Sequence, residues 1–470
     1  MQDYYLIKYN NQLFSYPCKV NQRGFTYEEA IQTANRNKWR NYTLVSIDKE
    51  IEKYNLHGNL EHRDLMPPEV FVYETWLNAY LDNNINGLSL PIAVDTNETY
   101  VEQLKIVYDK YCNEISKPAF IYEDGLADEV RDTCNQIIDI LFLLIAGQRE
   151  KATIELGKII EPFVENPFLV SELDKSYSFR GIAPFIDLRN CSYEYQKMID
   201  KNLSFFRVRT KRKENTDSIS EKEHIVHLPY GMRGMASTMR FSREGVPCLY
   251  LGTTSFVCCN ECGWDSENED MFSAAFVPNE QGKKLRILNL TISQALINGI
   301  YNRGIDGDSE VRKTLQLSMI KIFPLVIATS FSIAQDKREK RYEYLISQAL
   351  MEIIRELKID GIAYLSMKGK DEFQYPYGVN LALPAFDISE EKHFSKYCEA
   401  FDMTDPVKFE YQTSRSHKSY INEVYSPKNE FNRESFITKL DMGDSYEYYD
   451  NTKFGEFDNY LVSQNMKTMK

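Results

Sequence analysis

The chain has 470 residues, 43% of them hydrophobic, and a formal net charge of −13. That length favours two or three domains, with ample apolar residues for their cores. The acidic balance argues against sequence-independent duplex binding, which leans on a basic surface, but not against a small anion held by a local arginine cluster.

Nine cysteines, an odd number without framework spacing, read as reduced core thiols. With 32 tyrosines against 3 tryptophans, half-buried surfaces at domain contacts or in a pocket are expected. The start, MQDYYLIKYNN, lacks a basic region and a long apolar run, so no signal peptide is expected. The apolar runs Ile137 to Ala146 and Ile322 to Ala328 are too short for a bilayer core of about 30 Å. A cytoplasmic protein with no membrane and no nucleic-acid partner is the expectation.

In chain order, residues 1–175 read as a helical accessory or regulatory domain. Helices are predicted over Tyr27 to Lys38, Val101 to Ser116 and Asp124 to Lys158. The last carries an apolar stripe of Ile137, Ile138, Leu141, Leu144 and Ile145, and Pro162 and Pro167 follow it. A boundary is expected near Ser171 to Arg180. Tyr193 to Asn202 reads as a short helix feeding the strand Leu203-Ser204-Phe205-Phe206-Arg207-Val208-Arg209. Its two arginines at period 2 point to one face. Thr210 to Glu223, nearly all charge, amide and hydroxyl, reads as a loop.

The stretch from Met239 to Glu261 is the most informative. It holds Arg240, a turn at Arg243-Glu244-Gly245, and a buried strand from Cys248 to Leu251 carrying Tyr250. Thr253-Thr254-Ser255 offer N-cap hydroxyls for a helix that carries Glu261. A carboxylate among Phe256, Val257, Cys258, Cys259 and Cys262 is costly unless something uses it. Further on, Leu285 to Thr291 reads as a strand. Glu310 to Ala334 reads as a helix or a helix pair broken at Pro324, and Arg338 to Leu357 as another helix. Asp360-Gly361 is expected to turn that helix into the strand ending at Ser366, followed by Gly378 to Pro384 with Asn380. Residues 412–470 form a polar, aromatic tail whose rings, among them Tyr446, Tyr449, Phe454 and Phe457, suit docking back onto the body.

Cys259 and Cys262 make a CxxC beside Cys258. Zinc would want two further ligands, and His224 and His227 are near only in sequence, so no metal site is expected.

The order of these pieces resembles the RES family, named for an Arg, a Glu and a Ser. The resemblance runs over roughly residues 200 to 410 and rests on FFRVR, RFSREGVPCLYL with Glu261 behind it, LRILNLT, and the YLISQALMEIIR, DGIAYLS and GVNLALP run. It implies an α+β fold, an ADP-ribosyltransferase-like mixed sheet over residues 176–411, behind the helical N-terminal domain. It also implies an enzyme that takes NAD as substrate, without a metal, and cleaves its nicotinamide N-glycosidic bond as a glycohydrolase or phosphorylase. A role as toxin or defence effector goes with it. Arg207 matches the strand arginine expected to hold the diphosphate, with Arg209 and Arg240 as second candidates. Glu261 is expected to stabilise the cationic ribose or hold its hydroxyls, and Tyr250 to stack on nicotinamide or bound the pocket. Ser366 would orient ribose or carboxamide, and Asn380 would add a further polar contact.

Alone, each residue has a plainer reading. A strand arginine is more often a salt-bridge partner, and a helical glutamate is usually solvated. The chain also departs from the family pattern: Ser242 stands where Asn is frequent, and Met367 follows the serine. A protein ADP-ribosyltransferase and an inactive nucleotide-binding regulatory module are the alternatives. The partners expected besides NAD are an antitoxin or a second copy of the chain, and the N-terminal domain and the tail are the restraints available within it.

Overall fold

In a computed structural model of the chain, residues 5–9, 12–14, 25–36, 42–46, 85–88, 90–117, 120, 123–180, 203–215, 219–301, 309–333, 341–368, 378–409, 422–425, 436–439, 447–448 and 453–469 are described. They fall into two compact units, one of residues 1–89 with 113–121, the other of 90–112 with 122–470. The expected helix over Tyr193 to Asn202 and the tail rings Tyr446 and Tyr449 lie outside the described residues.

The first unit holds β1 (Tyr5–Tyr9), β2 (Gln12–Phe14), α1 (Tyr27–Arg36) and β3 (Thr43–Ser46). The strands form an antiparallel sheet in the order β2-β1-β3. Helix α1 opens on a capping box. Thr26 Oγ1 accepts from the Glu29 N–H, and the Glu29 carboxylate accepts from the Thr26 N–H.

The second unit opens with β4 (Ile92–Val94), α2 (Asn97–Ile115) up to residue 112, α3 (Leu126–Ile145) and α4 (Arg149–Ile160). The stretch predicted as one helix is thus two. Gly147 takes φ +78° after α3. Its N–H bonds the Leu144 carbonyl while that of Gln148 bonds Leu143, a Schellman stop.

The main sheet follows from β5 (Val170–Glu172), β6 (Phe205–Arg212), β7 (Cys248–Gly252), β8 (Glu269–Pro278) and β9 (Arg286–Leu290). Helix α5 (Tyr177–Arg180) precedes β6, and α6 (Ser255–Cys262) follows β7. Strand β6 runs three residues into the stretch read as a loop, because Thr210, Lys211 and Arg212 pair with Met271, Asp270 and Glu269.

After β9 come α7 (Gln294–Tyr301), α8 (Ser309–Thr329), β10 (Phe331–Ile333) and α9 (Tyr342–Glu356). Then follow β11 (Gly361–Leu365), β12 (Val379–Pro384), α10 (Lys396–Glu399), β13 (Phe401–Met403) and β14 (Val407–Lys408). A small antiparallel sheet of β15 (Asn422–Tyr425), β16 (Phe436–Lys439) and β17 (Glu447–Tyr448) precedes α11 (Lys453–Ser463) and β18 (Lys467–Thr468).

The main sheet has the order β18-β13-β8-β6-β7-β12-β11-β9-β5, with β14 on β8. Only β11 and β9 are parallel, so the fold is α+β with a mixed sheet and a helical region before it. One face buries Phe205, Leu249, Leu251, Phe276, Ile287 and Leu381. The other buries Phe206, Val208, Met271 and Ala275 beneath α6 and α11.

Helix α8 is not broken at Pro324. Proline leaves the Ile320 carbonyl without its helical N–H. The buried Tyr111 hydroxyl donates to that carbonyl at 2.7 Å instead. Tyr108 and Tyr100, one and three turns back along α2, donate to the carbonyls of Pro324 and Ala328.

Candidate active site around Glu261

The turn before β7 has the expected form. The Arg243 carbonyl accepts from the Val246 N–H, with Gly245 at φ +78°. A positive φ at the third position suits glycine in a type II turn. Strand β7 then ends at Gly252, where an added Cβ would lie 2.5 Å from Val257 and 2.6 Å from Cys258. Only glycine lets α6 start this close to the strand.

Helix α6 is cut to length by its ends. Thr254 caps it, its hydroxyl accepting from the Val257 N–H at 3.1 Å. Gly263 stops it at φ +65°, with Gly263 and Trp264 donating to Asn260 and Cys259. Glu261 therefore stands in the last turn and is exposed. A carboxylate there gains nothing from the helix dipole, whose negative end is at this terminus. It is held from outside. Ser366 Oγ donates to Glu261 Oε1 at 2.7 Å and Asn380 Nδ2 to the same oxygen at 3.0 Å. Both donors are buried, at 6% and 4% exposed, so one carboxylate oxygen is fixed by groups that cannot swing away. Oε2 accepts no hydrogen bond among the described residues.

The strand register explains the meeting. Asn380 pairs with Gly252 on one side and Tyr364 on the other, so it lies beneath α6. Ser366 lies just past β11, where its N–H bonds the Gly378 carbonyl. Thr253 fastens α6 to β12, since its N–H donates to Val379 O and its hydroxyl accepts the Val379 N–H. Thr253 was visible only as a spare cap hydroxyl.

Tyr250, Tyr364 and Asn380 share the face of α6 by alternation and register. The Tyr250 hydroxyl donates to Ser242 Oγ at 3.0 Å and accepts the Phe241 N–H at 3.2 Å. Burial pushes this phenol well above its ordinary range. It stays neutral and acts as a fixed wall. The departure at Ser242 is thus put to use. Tyr364 packs on Phe241 with ring centroids 4.5 Å apart. Its phenol is pushed up by burial first, then by Glu261, while Arg240 pulls it down. Arg240 and Glu261 thus act on the same ring. Arg240 donates to the Thr329 and Phe331 carbonyls at 2.9 and 2.8 Å and lies over Tyr344. Much of its fork is occupied in tying β10 to the site.

Arg207 and Arg209 lie elsewhere. Phe206 and Val208 pack under α6, so alternation turns both guanidinia to the other face, with Phe205. Among the described residues strand β6 pairs with β7 at a single position, Phe206 with Gly252. Beside it Arg207 Nη1 donates to the Tyr250 carbonyl at 2.6 Å, while its Nε is enclosed and unpartnered. Arg209 donates to Val226 O. Among the described residues neither meets a carboxylate. Arg209 is pushed down to about 9, first by Arg207 beside it and then by burial. Burial likewise lowers Arg207. Arginine holds its proton under nearly all conditions, so these directions record two cations pressed together with no counterion among the described residues. That is the condition an anion relieves. Cys262, beside Glu261, feels both guanidinia as well and bonds Val208 O between them. No hydrogen bond joins Arg207 to Glu261 among the described residues, and the structure does not pair them directly.

The sulfurs near α6 have local partners. Cys258 bonds Phe206 O at 3.1 Å, as Cys262 bonds Val208 O, so the i, i+4 pair grips the edge of β6. His227 Nε2 accepts the Ser395 N–H, and the other nitrogen faces Leu228 O. Among the described residues no group of three or more His, Cys, Asp or Glu is placed to hold a metal ion, and no helix is long and apolar enough to cross a membrane.

Residues 206–404 match the family model described as the RES domain. This part of the chain is similar to RES domains. The matched segment contains every site residue named above. The chain is also 31% identical, over 219 residues, to the Bacillus subtilis (strain 168) protein named "Putative toxin YopC". That match covers 46% of this chain and 48% of the relative, so the chain spans about half the length of the curated relative it matches. No solved structure matches the chain at a significant level.

Proposed function

We propose that the RES domain binds NAD and cleaves its nicotinamide N-glycosidic bond, and that the protein acts as a toxin or defence effector. The observation that carries this reading is the Glu261 carboxylate, fixed through one oxygen by Ser366 and Asn380 while the other accepts no hydrogen bond among the described residues. Glycosidic cleavage builds positive charge on the ribose, and a preorganised carboxylate stabilises that charge without reorganising. Tyr250 and Tyr364 supply aromatic walls for the cationic nicotinamide ring. The pair Arg207 and Arg209, which meets no carboxylate among the described residues, suits the diphosphate. Arg240 is the arginine on Glu261's own face and is a second arm for it. No metal is required in this scheme.

Water or phosphate is the acceptor in the glycohydrolase or phosphorylase reading, and a protein side chain in the ADP-ribosyltransferase alternative. The boundary of the helical accessory domain near residue 175, an antitoxin partner and cytoplasmic action belong to the same proposal. Incubating the full chain with NAD and following free nicotinamide tests it. Release with ADP-ribose or its phosphate in solution is expected. Label retained on protein favours transfer, and NAD bound without release favours a regulatory module.

A further inference from the structure

We propose that Asp458, on α11 and outside the matched RES segment, is a positioning residue for Glu261, acting through the helix that carries it. The proposal rests on the reading of Glu261 given above. Asp458 is 6% exposed, and both its oxygens face the Ser255 N–H at the start of α6, at 3.3 and 3.1 Å. The first turn of a helix leaves N–H groups without helical partners. Thr254 satisfies the one on Val257. Asp458 takes that on Ser255 from 203 positions away, with a negative charge at the positive end of the helix dipole.

The contact is built from a whole helix face. Phe454, Asp458 and Leu461 lie at i, i+4 and i+7 of α11, on one side. Phe454 meets Phe256 of α6 edge-on at 5.1 Å and stacks on Phe409 at 4.9 Å. Leu461 is fully buried in one cluster with Phe206, Val208, Met271, Cys258 and Cys259. Beyond α11, β18 pairs with β13 at the margin of the main sheet. Helix α6 has eight residues, so a shift at Ser255 reaches Glu261 within two turns. Ser366 and Asn380 hold Glu261 from the sheet side, and Asp458 holds the other end of its helix. In this proposal the described end of the tail acts as a brace on α6.

The test compares the full-length wild type with Asp458→Ala and Asp458→Asn. It measures nicotinamide release at a temperature well below unfolding, together with hydrogen exchange of α6 amides. Asp458→Ala is expected to lower kcat roughly tenfold, with KM within about twofold, and to speed exchange in α6. Asp458→Asn keeps an oxygen acceptor and should recover most of both. A purely structural contact would lower the melting temperature and leave the split between kcat and KM untouched. An unchanged kcat in folded Asp458→Ala overturns the proposal. If that variant does not fold, equal kcat in Asp458→Asn and Asp458→Ser overturns it, and a graded loss supports it. A wild type that releases no nicotinamide sinks the NAD reading instead, and unchanged α6 exchange in the variants then sinks the brace.

Discussion

Ser366 Oγ donates to Glu261 Oε1 at 2.7 Å across 105 positions of chain. The serine follows a strand and the glutamate stands in the last turn of a helix two strands away in the sheet. Because Ser366 is buried and Glu261 exposed, the hydroxyl anchors a carboxylate that itself faces outward. Ser366→Ala is therefore expected to lower kcat about tenfold with a smaller change in KM. The second donor, Asn380, should make the loss in a double variant less than the product of the two single losses. Steady-state kinetics on the three variants checks both statements.

In the proposed reading the arginines serve binding rather than chemistry. Arg207→Ala should raise KM for NAD about tenfold or more while changing kcat less, because the diphosphate is remote from the bond broken. Arg240→Ala should raise KM less, since both its terminal nitrogens already bond carbonyls. Arg207→Lys should recover little, because a point charge cannot replace a fork. Titration calorimetry with NAD gives the ranking directly.

Much of this architecture was legible in the sequence, and for local reasons. The Thr254 cap, the Gly245 turn and the strands carrying Tyr250 and Asn380 follow from residue types a few positions apart. The convergence of Glu261, Ser366 and Asn380 was legible only through the order of motifs, since no local pattern carries a register. Other features had no local signal. The left-handed residue after α9 is Lys358, at φ 56°, with Ile359 bonding Ile354 in a Schellman stop, so Asp360-Gly361 does not make that turn. Gly361 serves packing, for a Cβ there would lie 2.5 Å from Leu383 and 2.7 Å from the Ala382 carbonyl. The facing of Arg207 away from α6 also depends on which side of the sheet the helix covers.

Pro324 in α8 yields a stability prediction. Tyr111→Phe removes the only donor that the Ile320 carbonyl has among the described side chains and keeps the ring against Phe323. A buried acceptor left unsatisfied costs about 1–3 kcal/mol. Pro324→Ala in the same background restores the helical N–H and should return part of the loss. Urea unfolding of the single and double variants measures this.

His227 carries a pH dependence. Burial lowers its affinity for a proton, and Arg207 and Arg209 lower it further. The unfolded chain then binds more protons than the folded one below the ordinary value of 6.5, so stability falls as the medium is acidified through that value. Thermal unfolding should show the melting temperature dropping below about pH 6.5, and His227→Gln should flatten that part of the curve.

The central claim is that Glu261 opposes the positive charge of the cleaving ribose. The decisive measurement is turnover of NAD by Glu261→Gln, with binding measured on the same preparation. The amide keeps the shape and the contacts to Ser366 and Asn380 but removes the charge. The account predicts NAD binding within a few-fold of wild type and nicotinamide release slower by roughly 100-fold or more, about 3 kcal/mol of transition-state stabilisation. Full turnover by folded Glu261→Gln would contradict it, and the electrostatic centre would then lie elsewhere in the domain.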